Sequence, residues 1–133
     1  MPNEEFDFWP ADLDGADPDA PVLLLRTQAS LLGKKFKNIL EASVDTNRVG
    51  AGIFRHDFDI RIPSMGYTYT LFWIQHGLDP YPVTWTFDTQ QGRLASKEEY
   101  TAWLRATLSS DRTKRIVRTL LAQAGAEPQS AQF

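Results

Sequence analysis

The chain has 133 residues, 42% of them hydrophobic and 23% charged, and carries a net charge of −3, an ordinary composition for one globular domain with enough apolar material for a core. It contains no cysteine, which excludes disulfides, thiolate metal centres and cysteine nucleophiles, and no apolar run approaches the roughly 20 residues of a membrane span. The charge is unevenly placed. Residues 1–20 hold seven acids (Glu4, Glu5, Asp7, Asp12, Asp14, Asp17 and Asp19) and no base, so the body, with ten acids and fourteen bases, is +4. Such asymmetry points to an interaction segment, or to a solvated leader that partly neutralises its own domain.

The first 19 residues are rich in acids and proline and read as a mostly irregular tail. Their acidic start lacks the positively charged region of a secretory signal, so a soluble, cytoplasmic protein is expected. Within the tail, "EEFDFWP" places Phe6, Phe8 and Trp9 among Glu4, Glu5 and Asp7. Aromatic side chains of this size bury on the order of 150–250 Å² each, so the strip is expected to dock, by folding back on its own domain or by binding in trans. Residues 20–125 read as a single α+β domain, and 126–133 as a frayed C-terminal tail.

"DAPVLLLRTQASLLG" has helical spacing in Val22, Leu25, Ala29 and Leu32, with Asp19 as a cap, Pro21 in the first turn and Gly33 as a stop. The period then changes to two. "KFKNILEASVD" alternates through Leu40, Ala42 and Val44, and "TNRVGAG" makes a turn. "IFRHDFDIRIP" alternates most regularly, with Phe54, His56, Phe58, Ile60 and Ile62 on one face and Arg55, Asp57, Asp59 and Arg61 on the other. "YTYTLFWIQHG" and "VTWTFD" complete a four-stranded antiparallel meander, since every link is short. In the third strand, Tyr67, Tyr69, Leu71 and Trp73 share one parity, and Phe72 and Ile74 the other. "SKEEYTAWLRATLSS" opens on a capping box of Ser96 and Glu99 and carries Tyr100, Trp103, Leu104 and Leu108 on one stripe. "SSDRTKRIVRTLLAQAG" gives a last helix, with Thr113, Ile116, Val117, Leu120 and Leu121 inward. The expected fold is an N-terminal helix, a four-stranded meander and two C-terminal helices packed on the sheet.

"HDFD" looks most like chemistry. Strand geometry, however, sends His56 and Asp57 to opposite faces, so they cannot form a dyad, and the aspartates belong to a surface charge ladder. No nucleophile elbow, HExxH or phosphate loop is present, and no cofactor or metal site is expected. His76 ends the third strand, about one diagonal step from His56. The enzymatic alternative is therefore a small hydrolase or nuclease using His56 or His76 with a nearby carboxylate. A second alternative is a nucleic-acid-binding accessory protein, in which Arg112, Lys114, Arg115 and Arg118 of the last helix contact phosphate. A pI near 5.3 weighs against it. The preferred expectation is a small acidic protein-binding module, of which immunity, antitoxin and inhibitor proteins are examples, that acts by stoichiometric binding rather than catalysis. Its partner is another protein or a second copy of the chain, not a membrane. The expected contacts are Glu4, Glu5, Phe6, Asp7, Phe8 and Trp9 in the tail and Tyr67, Tyr69 and Trp73 on the sheet.

Overall fold

The computed structural model describes residues 6–126; Glu4 and Glu5, and residues 127–133 of the expected frayed tail, lie outside the described residues. Helix α1 (Pro21–Lys35) begins on a proline, whose fixed φ suits the first turn. Asp19 does not cap it. The cap position is Ala20, without a side-chain bond, and Asp19 instead pairs with Lys97 at 2.7 Å. Gly33 does not end the helix either. The chain leaves two residues later, where Lys37 and Asn38 take positive φ values of 50° and 65° and the Asn38 amide bonds the Gly33 carbonyl at 3.0 Å.

Five strands follow: β1 (Glu41–Arg48), β2 (Phe54–Ile62), β3 (Tyr67–His76), β4 (Val83–Phe87) and β5 (Gln90–Leu94). They form one antiparallel sheet in chain order, β1-β2-β3-β4-β5, so the meander stands with one strand more than the sequence suggests. The added strand, "QQGRL", has no β-branched or aromatic residue, so its own preference does not announce it. Its pairing follows from a two-residue link after β4, where Asp88 takes φ 57°, a conformation Asp tolerates and tight hairpins need. Gly92 lies opposite Trp85, and a Cβ there would stand 2.7 Å from the indole nitrogen. The ring packs directly on the strand backbone, which explains a glycine inside a strand.

Helices α2 (Lys97–Leu108) and α3 (Asp111–Gln123) complete the chain. Ser96 caps α2 by accepting from the Glu99 amide at 3.2 Å, while the Glu99 carboxylate reaches back to the Ala95 amide. Ser110 caps α3 in the same way, through the Thr113 amide. One core cluster joins Leu25 and Ala29 of α1, Tyr100 and Leu104 of α2 and Leu120 of α3 to Phe58, Ile60, Ile62, Phe72, Ile74 and Val83 of the sheet. All three helices therefore pack on the same face, an α+β arrangement. Among the described residues no helix is long and apolar enough to cross a membrane.

A β-bulge in β3 departs from the simple alternation. Phe58 pairs with Phe72, but the next residue, Asp59, pairs with Thr70, which leaves Leu71 as the extra residue. The faces of β3 exchange there. Tyr67 and Tyr69 lie opposite Ile62 and Ile60 on the core face; beyond the bulge, Phe72, Ile74 and His76 hold that face, opposite Phe58, His56 and Phe54. Trp73 falls on the outer face, opposite Asp57. The expectation that Tyr67, Tyr69, Leu71 and Trp73 share a face is thus corrected, because one inserted residue inverts the parity of everything after it. Leu71 and Phe72 are consecutive yet both buried, which is how a bulge permits an apolar pair without making both faces apolar.

Candidate functional site

Three features hold the chemistry-bearing residues. The first is created by the bulge. Without it His76 would point away from His56; with it, the two imidazoles stack at 4.9 Å between centroids, with their Nε2 atoms 2.8 Å apart. His56 Nδ1 lies 2.8 Å from the Thr46 hydroxyl and His76 Nδ1 lies 2.7 Å from the Gly77 carbonyl oxygen. A carbonyl only accepts, so His76 Nδ1–H donates and, in the neutral ring, His76 Nε2 accepts. His56 Nε2–H therefore donates to His76, and His56 Nδ1 accepts from Thr46. The run from Thr46 through both rings to Gly77 is complete in one direction. One further proton fits if the Thr46 hydroxyl turns to accept, while a second would set two N–H groups against each other. His56 is 4% exposed; burial first, then His76 and Arg26, lowers its pKa to about 4, against a smaller opposing pull from Asp57.

Among the described residues neither ring has a carboxylate partner. Asp57 lies on the opposite face, where it binds Arg55 at 2.7 Å, and all four ring nitrogens are engaged by the pair, Thr46 and Gly77. Among the described residues no group of three or more histidines and acids is placed to hold a metal ion. The pair can carry one proton along a half-buried hydrogen-bonded run from the exposed Thr46 through buried His56 to His76 and Gly77.

The second feature is the outer face. The register puts Glu41, Ser43, Asp45 and Asn47 of β1, Arg55, Asp57, Asp59 and Arg61 of β2, and Thr84 and Thr86 of β4 on it. The charge ladder expected from sequence is there: Arg55 binds Asp57, and Thr70 donates to Asp59 at 2.7 Å. Trp73 is half-buried on this polar face under the Arg55 guanidinium, which stands 4.0 Å from the ring centroid. Tyr67 and Tyr69 lie on the other side of the sheet, so the three sheet aromatics do not form one surface.

The third feature is the N-terminal segment. Residues 6–20 contain no α-helix and no strand. Phe6 is 72% exposed, Phe8 90% and Trp9 76%. They do not fold back on their own domain, which corrects the intramolecular half of the expectation. The backbone is nevertheless shaped: the Trp9 amide bonds the Asp7 carboxylate at 3.0 Å, and the Leu13 amide bonds the Pro10 carbonyl at 3.1 Å. The segment is anchored farther along, where Asp19 meets Lys97 and its carbonyl accepts from the Tyr81 hydroxyl. These anchors were not legible in the sequence, because they join residues more than sixty positions apart.

The basic residues of α3 divide. Arg112 turns to Asp88 at 3.3 Å. Lys114, Arg115 and Arg118 line a shallow hollow of about 520 Å³ with Asp111, Thr119 and Ala122. No protein-family model, no curated protein and no solved structure matches the chain, so these three features carry the functional reading by themselves.

Proposed function

We propose that this is a protein-binding module that acts by stoichiometric association, with Phe6, Asp7, Phe8 and Trp9 as its recognition strip, in the manner of small immunity, antitoxin or inhibitor proteins. One observation carries the reading: three large aromatic residues within four positions, Phe6, Phe8 and Trp9, stand at least 72% exposed on an acidic segment whose backbone is held by its own hydrogen bonds and whose base is tied to the domain by Asp19. Exposed aromatics of this kind are the usual anchors of interfaces. Asp7, Asp12 and Asp14 beside them select a partner with a basic rim and an apolar centre, and speed its encounter. The histidine pair supports binding over hydrolysis, since every ring nitrogen already has a partner within the protein.

The test is affinity capture from host lysate with the native chain and with a Phe6→Ser/Phe8→Ser/Trp9→Ser variant. Because Asp19 anchors the domain, substitution within the strip is cleaner than removing residues 1–19. The native chain is expected to retain one protein at a fixed molar ratio and the variant to lose it, with affinity down by about 30-fold or more. Equal capture by both removes the strip from the proposal.

A further inference from the structure

The strip calls for a receiving surface of cations with aliphatic stems, and the chain carries one. On α3, Asp111, Lys114, Arg115, Arg118, Thr119 and Ala122 follow the spacing i, i+3, i+4, i+7, i+8, i+11 and so form one solvent-facing stripe. Thr113 and Leu120 are buried on the opposite side. Among the described residues Lys114, Arg115 and Arg118 make no ion pair; Arg112, off the stripe, is the one α3 cation that does. The hollow they line is about 520 Å³, room for an aromatic side chain or two between aliphatic stems that end in charge. The stripe runs for about 16 Å at 1.5 Å per residue, and the four residues Phe6–Trp9 span at most about 10 Å even when extended, so the turned strip fits within it.

We infer that the strip of one copy docks on the α3 stripe of a second copy, Asp7 meeting Lys114, Arg115 and Arg118 while Phe8 and Trp9 enter the hollow. Docking in trans follows from presentation: the strip stands clear of its own domain, with Phe8 90% exposed, and is held there by the Asp7 and Pro10 turns. Reciprocal exchange closes a two-fold dimer rather than a filament. Its area is adequate. Three aromatics at these exposures offer about 400 Å² per strip. Two strips with their receiving surfaces bury about 1,500 Å², within the range of stable interfaces. The inference rests on the strip as recognition element and adds that α3 competes with any other basic partner for it.

Light scattering on the full chain from micromolar to millimolar concentration is the test, with two variants, Phe8→Ser/Trp9→Ser and Arg115→Glu/Arg118→Glu. All four substituted side chains face solvent, and circular dichroism checks that the fold is kept. The native chain is expected to approach twice the monomer mass, with dimerisation weakened about tenfold between 0.05 and 0.5 M salt. Each variant alone is expected to stay monomeric. Mixed together they regain one of the two contacts, because one retains the stripe and the other the strip, so a weaker association returns at the upper end of the concentration range. A monomeric native chain or a dimer insensitive to either variant overturns the inference, as does a mixture whose mass at millimolar concentration does not exceed that of either variant alone. If the native chain is monomeric but its strip still captures a different protein, the second-copy assignment falls and the binding-module reading stands.

Discussion

The histidine pair gives the sharpest quantitative consequence of the fold. His56 is held neutral by burial, with a pKa lowered from 6.5 to about 4. The unfolded chain therefore binds more protons than the folded one between those two values, and stability falls as the pH is lowered through that window. The linkage relation gives a loss of about 2 kcal/mol between pH 8 and pH 5, and about 3 kcal/mol by pH 4. This is a large part of the roughly 5–15 kcal/mol that holds a domain together. Urea unfolding followed by circular dichroism at pH 4, 5, 6, 7 and 8 measures it, with His56→Gln as reference. Glutamine keeps a polar group between Thr46 and His76 but does not titrate. Carboxylates contribute to both profiles and cancel in the difference, so the native chain is expected to lose about 2 kcal/mol more than the variant by pH 5. Parallel profiles would refute the reasoning, and would mean that the 2.8 Å contact between the rings shares the first proton well enough to offset burial.

Three further substitutions test the framework. Thr46→Val keeps the side-chain shape but leaves His56 Nδ1, now 2.8 Å from the hydroxyl, without a donor; a loss of about 1–3 kcal/mol in urea unfolding at pH 8 is expected. Gly92→Ala drives a Cβ to within 2.7 Å of the Trp85 indole. It should cost about 1–3 kcal/mol and perturb Trp85 fluorescence, and an unchanged melting temperature would contradict the packing described for β5. Tyr100→Phe removes the buried bond from its hydroxyl to the Pro21 carbonyl, 2.8 Å long, which ties α2 to the start of α1. A loss of about 1 kcal/mol or somewhat more is expected by the same unfolding assay.

Much of the fold was legible because its signals are local. The alternation in β2 is unbroken and its core face, His56 to Ile62, is buried as read. The Ser96 cap and the stripes of α2 and α3 follow from spacing. What escaped depends on contacts distant in sequence. The bulge at Leu71 belongs to the pairing of β2 with β3, and its trace in the sequence is a phase change, Tyr67 and Tyr69 in one register and Phe72, Ile74 and His76 in the other. The adjacent apolar residues "LFW" mark the place of that shift. From it follow the histidine pair and the isolation of Trp73. The fifth strand escaped because "QQGRL" pairs through a hairpin and a glycine that admits an indole, not through its own propensity. The strip of Phe6, Phe8 and Trp9 was read as a contact element from composition, while its exposure was not readable, since nothing local decides whether an aromatic residue finds a home on its own domain.

The most direct measurement of the central claim is hydroxyl-radical footprinting of the full chain, alone and dilute, and again with its binding partner or at concentrations where it self-associates. The account predicts high reactivity at Phe6, Phe8 and Trp9 in the dilute chain and strong protection of the same three residues in the complex, with Trp73 unchanged in both. A complex that protects other surfaces while Phe8 and Trp9 stay as reactive as in the free chain would contradict it.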